Sequence, residues 1–194
     1  MPLPEAGVGP IPEGLDPEEY ERRRRRVLWS MPTGLFVVGS RDADRRNLMT
    51  ANWVMQIATA PKLIAFAVET GSVTRELVES GGGFSVSILP KEARSLVRRF
   101  VKPVADVVLG DDGTVVSMAG EAVREVAGGL PCIASSLGWL SCEVRQVVEW
   151  ERPGEAPASH VLVVGEVVDA DEWGESAGPA GALAMSDTRM SYGG

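Results

Sequence analysis

The chain has 194 residues, of which 44% are hydrophobic and 24% are charged, a mixture typical of a compact soluble protein. Its formal net charge of −8 argues against a nucleic acid partner, and the absence of a run of about 18 apolar residues argues against a membrane span. Two cysteines, Cys132 and Cys142, are too few for a disulfide framework, and a single histidine excludes histidine-rich metal chemistry. These features favour a cytoplasmic protein without a metal site.

Residues 1–15 are predicted to form a flexible arm because four prolines deny this segment regular backbone hydrogen bonds. The prolines are Pro2, Pro4, Pro10 and Pro12. The length of the remainder fits one domain of ordinary size, so residues 16–194 are predicted to form a single domain.

A first helix is predicted over residues 17–30, because Asp16 can cap it and proline suits its first position. Five consecutive arginines occupy positions 22–26, and Glu18, Glu19 and Glu21 each lie four residues before one of them. This spacing is typical of a solvent-exposed charged helix face. One side of the helix carries apolar side chains, and we expect it to pack against the rest of the domain. These side chains are Tyr20, Val27 and Leu28.

Short β-rich runs separated by turn residues follow residue 34, which predicts a barrel or sandwich of six strands. The predicted strands are residues 35–40, 48–59, 63–69, 84–89, 140–150 and 160–168. Two helical patterns interrupt them at residues 72–80 and 92–100, and Leu96, Val97 and Phe100 share a face of the second. Residues 103–129 are compatible with either a hairpin or an ordered surface excursion.

The strongest local chemical signal is the strand-to-helix turn at residues 70–74. Gly71 and Ser72 turn the chain into a helix whose first N–H groups are free, and Ser72 and Thr74 add hydroxyl groups. The pattern fits a small anion site, and it equally fits an ordinary helix N-cap. No nucleophile elbow, nucleotide-binding glycine motif or zinc helix accompanies it, so any redox or group-transfer chemistry requires a borrowed cofactor.

Several segments, in this order, resemble the landmarks of the flavin-reductase-like, FMN-binding split-barrel family. They are Thr33-Gly34 before an apolar strand, Met49-Thr50-Ala51, Pro61-Lys62-Leu63, Ser72-Val73-Thr74, Ser80-Gly81 with the strand at 84–89, and the strand that begins at His160. The resemblance implies a mainly β fold, a six-stranded split β-barrel of Greek-key type with peripheral α-helices. It also implies that the domain binds FMN.

In that family, the segment that matches Met49, Thr50, Ala51, Asn52 and Trp53 lies along the flavin ring and ribityl chain. Thr50 and Asn52 are therefore candidates for polar contacts, and backbone N–H groups of this segment are candidates for hydrogen bonds to the polar edge of the ring. The resemblance assigns the phosphate to a second set of residues near the start of a helix. This set is Gly71, Ser72, Val73 and Thr74.

The resemblance further implies a homodimer with flavin at its interface, and it makes Arg189 and Tyr192 in the closing segment weaker site candidates. The implied activity is NAD(P)H-dependent flavin reduction, with NADH or NADPH as reductant and a monooxygenase or another electron acceptor as partner. Hydride transfer between the two cofactors needs no protein acid or base, so no catalytic side chain is predicted.

Three features of the sequence bear on alternatives to this interpretation. Asn52-Trp53 replaces the small hydroxyl residues common in relatives, and a tryptophan over the ring would favour an electron-transfer flavoprotein without nicotinamide turnover. Ser87 likewise stands where asparagine is frequent. His160 is interpreted first as a structural residue, although its imidazole leaves another ligand such as haem as a third alternative.

Overall fold

The computed structural model describes residues 10–151, 157–173 and 181–188, and within them the chain is mainly β, as predicted. The two α-helices are α1 (Pro17–Trp29) and α2 (Val73–Gly81). The strands are β1 (Phe36–Asp42), β2 (Arg45–Ala51), β3 (Val54–Thr59), β4 (Lys62–Glu69), β5 (Gly83–Ile88), β6 (Val107–Leu109), β7 (Val115–Met118), β8 (Glu121–Val126), β9 (Leu130–Ile133), β10 (Gly138–Val148) and β11 (His160–Glu172). Short 3-10 helices occupy Lys91–Arg98, Ala127–Gly129 and Met185–Asp187.

The main sheet has seven strands in the order β2-β1-β5-β10-β11-β4-β3, and its neighbouring strands run antiparallel. The single strand predicted over 48–59 is wrong: it is two strands, β2 and β3, interrupted at Asn52 and Trp53. These two strands lie at opposite ends of the sheet order, and no pairing between them closes the sheet in the residues described. The predicted six-stranded split barrel of Greek-key type is therefore not confirmed.

Alternating side chains divide the main sheet into two apolar faces, as expected for a sheet that is covered on both sides. One face carries a core of buried residues from β1, β4, β5, β10 and β11, with Val78 of α2 packed against it. The other face supports a second core, which includes Phe100 and buried residues of β7 and β9. Both cysteines are buried, Cys132 on β9 and Cys142 on β10.

Residues 107–133 form a four-stranded sheet of order β6-β7-β8-β9. The hairpin predicted as one possibility for residues 103–129 is present as β6 and β7. Strands β8 and β9 were not predicted. They pair with each other, with Val123 opposite Ile133 and Val126 opposite Leu130.

Strand β9 is seated on the main sheet where three neighbouring strands carry small residues. Gly39, Ser85 and Ser141 are in register on β1, β5 and β10. A Cβ atom at Gly39 would lie 2.0 Å from the carbonyl oxygen of Pro131 on β9, so glycine is required by the close approach of the backbone. The hydroxyl of Ser85 donates to that same carbonyl at 2.6 Å.

Helix α1 begins as predicted, with the Asp16 side chain accepting a hydrogen bond from the N–H of Glu19. Two of the predicted ion pairs are present, Glu19–Arg23 at 3.1 Å and Glu21–Arg25 at 3.9 Å. The expected packing against the domain is wrong for Val27 and Leu28, which are 65% and 46% exposed, whereas Tyr20 is partly buried. These two apolar side chains of α1 are therefore exposed in the single chain.

The second predicted helix is confirmed as α2, and the third is corrected in type. Residues predicted as a helix over 92–100 form the 3-10 helix Lys91–Arg98, which has non-helical backbone angles at Ala93. Its predicted apolar face is nevertheless buried, because Leu96, Val97 and Phe100 all pack in the second core. The apolar spacing located the contact face although it did not determine the helix type.

Residues 181–188 return to the main sheet beside the start of β1 and the end of β5. The carbonyl of Leu183 accepts from the N–H of Leu35 at 2.9 Å, and the N–H of Leu183 donates to the carbonyl of Leu89 at 2.8 Å. Leu183 is buried, so this segment is fixed by both backbone pairing and packing. Among the described helices, none combines the length and apolar character required to span a membrane.

Candidate functional site

A cavity of about 350 Å³ lies between β2, the end of β4, the start of α2 and the segment after the 3-10 helix Lys91–Arg98. Its volume is within the range of small-molecule pockets. The lining residues are Leu35, Asn47, Met49, Thr50, Ala51, Asn52, Trp53, Ala67, Val68, Glu69, Gly71, Ser72, Val73, Thr74, Phe100, Val101, Lys102, Pro103, His160 and Met185. Residues from both ends of the main sheet order thus meet around one space.

The cavity brings together all nine predicted site residues that the structure describes. Met49, Thr50, Ala51, Asn52 and Trp53 line one part of it, where the chain passes from β2 to β3. The other four predicted residues line the part at the start of α2, and they are Gly71, Ser72, Val73 and Thr74. The remaining two candidates, Arg189 and Tyr192, lie outside the described residues.

Asn52 presents a buried carboxamide to this cavity. Its relative exposure is 7%, and its side chain makes no hydrogen bond to any described residue. A carboxamide offers two N–H donors and a carbonyl acceptor. The position is therefore suited to a ligand that has both acceptors and donors on one edge.

Thr50 lines the same part of the cavity but has internal partners. Its hydroxyl donates to the carbonyl of Val97 at 2.7 Å, and its backbone N–H donates to the carbonyl of Phe100 at 2.9 Å. Both of its donors are therefore used within the protein. The expected polar contact from Thr50 is restricted to the remaining lone pairs of its oxygen, and its donors connect β2 to the segment that carries Phe100.

The start of α2 forms the second part of the cavity. Ser72 is the N-cap and accepts a hydrogen bond from the N–H of Arg75 at 3.2 Å. The N–H groups of Val73 and Thr74 have no acceptor among the described residues, as expected for the first turn of a helix. A Cβ atom added to Gly71 would meet nothing within 4 Å, so open space adjoins these donors. An anionic group is favoured there.

Three polar lining residues were missed by the sequence interpretation as site residues, namely Asn47, Glu69 and Lys102. Asn47 lies on β2 two residues before Met49, yet the sequence interpretation assigned no role to it. Lys102 follows Phe100 along the chain, is exposed, and makes no ion pair with the described residues. No local pattern distinguishes Lys102 from any surface lysine, because its place beside α2 depends on contacts across the fold.

Trp53 and His160 form an aromatic wall. Their ring centroids are 5.1 Å apart with an interplanar angle of 71°, an edge-to-face arrangement. Burial lowers the pKa of His160 below its ordinary value of 6.5, while the nearby carboxylate of Glu69 opposes that shift. Nδ1 of His160 also lies 2.9 Å from the hydroxyl of Ser159. The predicted structural role of His160 is therefore accompanied by a place at the cavity.

The arrangement combines apolar walls and the Asn52 carboxamide in one part with N–H groups and hydroxyls at the start of α2 in the other, and Lys102 and Glu69 add one charge of each sign to the lining. The described lining is thus suited to an elongated ligand with a planar polar-edged ring and an anionic tail. Its side chains serve binding and orientation, which agrees with reactivity supplied by a bound cofactor.

The flavin reductase like domain family matches residues 28–193 of the chain. Among curated proteins, the high molecular weight rubredoxin of Moorella thermoacetica is 28% identical over 75% of this chain and 58% of its own length, so the chain spans little more than half of that relative. The NADH-dependent FAD reductase of Streptomyces globisporus is 26% identical over 86% of this chain and 84% of its own length.

Two solved structures have related folds. The NADH:FAD oxidoreductase SgcE6 of Streptomyces globisporus C-1027 superposes with a TM-score of 0.58 at 25% identity, covering 84% of this chain and 88% of that chain. Component B of nitrilotriacetate monooxygenase from Mycobacterium thermoresistibile gives a TM-score of 0.66 at 22% identity, covering 84% and 82%. The match along residues 28–193 includes every described residue of the cavity, and the chain belongs to the flavin reductase like domain family.

Proposed function

We propose that this chain is an NAD(P)H-dependent flavin reductase that binds FMN in the described cavity. The observation that carries the proposal is the carboxamide of Asn52, which makes no hydrogen bond to any described residue and lines the same cavity as the first N–H groups of α2. Flavin, when bound, supplies the redox chemistry by accepting a hydride from the reduced nicotinamide. The protein side chains hold and orient the reactants.

The ring is assigned to the part of the cavity between Asn52 and the aromatic wall. The pyrimidine edge of a flavin carries carbonyl acceptors beside an N–H donor, and the carboxamide of Asn52 can satisfy either kind of group. Met49 and Trp53 supply apolar surface for the ring faces. This assignment gives the Asn52 side chain a partner that none of the described residues supplies.

The phosphate is assigned to the start of α2. The N–H groups of Val73 and Thr74 and the hydroxyl of Ser72 lie at that part of the cavity, and Lys102 is also a lining residue. Their partial and full positive charges stabilise a phosphate. FMN ends in this group, whereas riboflavin lacks it, so the two flavins separate the contributions of the ring and phosphate parts.

We further propose that the protein is a homodimer in which the sheet forms the split barrel typical of the family. The support is exposed apolar surface: Trp29 and Met31 lie at the end of α1, and Met55 and Ile57 lie on the edge strand β3. Exposed apolar side chains of this size favour association. Sedimentation velocity measures the state directly, and a monomer at all accessible concentrations would contradict this part of the proposal.

The electron acceptor is proposed to be a separate enzyme such as a monooxygenase, because the solved structure of related fold from Mycobacterium thermoresistibile is named as a component of one. A cytoplasmic location is proposed on the evidence of the cysteines. Cys132 and Cys142 are both free and buried, and burial raises the pKa of Cys142 to about 12, which keeps that thiol protonated.

The decisive experiment mixes purified protein with FMN under anaerobic conditions and records the absorption spectrum before and after addition of NADH, and separately of NADPH. Loss of the flavin absorption at a rate that depends on the protein supports the proposed reaction. Binding of FMN without reduction by either nucleotide would leave an FMN-holding electron-transfer protein in its place. Measurements with FAD and riboflavin under the same conditions establish the preferred flavin.

A further inference from the structure

Asn47 connects two separate segments at the part of the cavity to which the phosphate is assigned. Its Nδ2 donates to Oγ1 of Thr74 at 2.9 Å, and its Oδ1 accepts from the N–H of Val104 at 2.9 Å. Asn47 is 3% exposed and Thr74 is 1% exposed, so both groups are withdrawn from bulk solvent. One carboxamide on β2 therefore fixes the first turn of α2 and the segment that follows Lys102.

The hydrogen bond to Thr74 determines what the threonine hydroxyl can offer. A hydroxyl has one donor and two acceptor sites, and Nδ2 of Asn47 occupies one of the acceptor sites. No acceptor for the hydroxyl proton of Thr74 is present among the described residues. The Asn47 amide thus leaves Thr74 as a donor, which is the role that a phosphate oxygen requires.

The second hydrogen bond acts on the opposite wall. Residues 101–103 line the cavity, and Lys102 is its ammonium group. Because the N–H of Val104 is fixed by Oδ1 of Asn47, the backbone two residues after Lys102 is held at a defined distance from α2. A freely moving segment would lose conformational entropy when the ligand orders it, and this anchor reduces that loss.

We infer that Asn47 is a positioning residue for the phosphate of the flavin: it orients the Thr74 hydroxyl as a donor and holds the Lys102 segment against the start of α2. This inference rests on the proposed function, because it presupposes that the phosphate lies at that end of the cavity. Asn47 contributes to affinity through these neighbours, and its effect is therefore specific for flavins that carry a phosphate.

The test compares dissociation constants for FMN and riboflavin, measured by quenching of flavin fluorescence, in the wild-type protein and in Asn47→Ala. The wild type is expected to bind FMN more tightly than riboflavin. Asn47→Ala is expected to weaken FMN binding by about tenfold or more and riboflavin binding by less than about twofold. A purely structural role would weaken both flavins alike and would overturn the inference.

Ser85→Ala is the matched control. It also removes one buried hydrogen bond, from Oγ of Ser85 to the carbonyl of Pro131, but at a place that does not line the cavity. It is expected to lower the unfolding temperature and to leave the ratio of FMN to riboflavin affinity unchanged. A changed ratio in Ser85→Ala would show that the ratio reports general destabilisation, and the inference would then be withdrawn.

Asn47→Asp is a nearly isosteric second variant for the case that Asn47→Ala does not fold. It retains an acceptor for the N–H of Val104 and loses the donor to Thr74, while adding a negative charge at the anion site. A loss of FMN preference at least as large as that of the alanine variant is expected. A folded Asn47→Asp protein that keeps the wild-type preference would contradict the inference.

Thr74→Ala completes a double-mutant cycle with Asn47→Ala. If Asn47 acts partly through Thr74, the free-energy losses of FMN binding in the two single variants add up to more than the loss in the double variant. Strict additivity would remove the Thr74 step of the inference. If the wild type itself bound FMN and riboflavin equally, the proposed phosphate position would fail first, an outcome distinct from an unchanged preference in the variants.

Discussion

Polar side chains are buried in two regions of this protein, and the two regions treat them differently. Where β9 crosses the main sheet, serine hydroxyls bind the backbone: Ser87 accepts from the N–H of Ile133 at 3.0 Å, and Ser141 donates to the carbonyl of Ala127 at 3.1 Å. In the cavity, the Asn52 carboxamide has no partner among the described residues. The hydrogen-bonded serines join parts of the fold, whereas the Asn52 carboxamide is available to bind a ligand.

The glycines of the two regions show the same contrast. A Cβ atom at Gly39 would lie 2.0 Å from the backbone of β9, whereas a Cβ atom at Gly71 would meet nothing within 4 Å. Gly39 is thus required by packing within the protein. The open space at Gly71 lies beside the first N–H groups of α2, where a ligand can approach the backbone closely.

An unpartnered buried atom does not by itself mark a site. Oγ of Ser40 and Nε1 of Trp139 are also buried without a hydrogen-bond partner in the described part of the chain, yet neither residue lines the cavity. Such atoms lower stability and offer a ligand nothing. The significance of Asn52 comes from the combination of an unpaired amide with adjoining open space.

The largest expected effect is on the region where β9 crosses the sheet. Gly39→Ala places a methyl group against the backbone of Pro131 and the hydroxyl of Ser85, and neither can move freely because the strands on both sides are paired. We expect a decrease of about 3 kcal/mol in the free energy of unfolding, measured by urea denaturation of the apoprotein. A decrease below about 0.5 kcal/mol would show that β9 is not tightly seated.

Asn52→Ala is expected to have the opposite profile. Because the carboxamide makes no hydrogen bond within the described part of the chain, the stability of the apoprotein should change by less than about 0.5 kcal/mol, while FMN affinity falls about tenfold. The control is Ser87→Ala, which should lower stability by about 1–2 kcal/mol and leave FMN affinity unchanged. Equal behaviour of the two variants would remove the distinction between the regions.

Trp53→Ser examines whether the aromatic wall restricts the nicotinamide. Trp53 is 37% exposed and rests edge-to-face on His160, so its indole stands at the cavity where it can cover part of a bound ring. We expect the variant to raise kcat/KM for NADH by about threefold, through a lower KM. An unchanged kcat/KM in steady-state assays would mean that Trp53 leaves the ring face open.

The smallest expected effect is a pH dependence of stability. Because burial lowers the pKa of His160 in the folded protein, the unfolded chain takes up the proton first as the pH falls below 6.5. The free energy of unfolding therefore decreases from pH 6.5 down to the folded pKa, and the nearby Glu69 carboxylate limits the decrease. Denaturation of His160→Gln between pH 5 and 7, about the ordinary range of histidine titration, should show a smaller slope than the wild type.

Local chemistry in the sequence was sufficient to predict much of the site. The N-cap at Ser72 and the free N–H groups after it depend on consecutive residues, so the start of α2 could be identified without tertiary information. The order of short segments predicted the family and hence the role of Met49–Trp53. The apolar spacing also identified the buried face of Leu96, Val97 and Phe100, although not the helix type.

Contacts between distant residues decided the rest. The sequence predicts one strand through Asn52 and Trp53. In the structure, the first part of this segment pairs with β1 and the second part pairs with β4, so the strand is divided at these two residues, which line the cavity. The bond from Asn47 to Thr74 spans 27 residues, and the bond to Val104 spans 57. The sequence by itself determined which groups can bind an anion, because those groups are neighbours along the chain. The tertiary structure decided which groups surround it, because hydrogen bonds across the fold leave no periodic trace in the sequence.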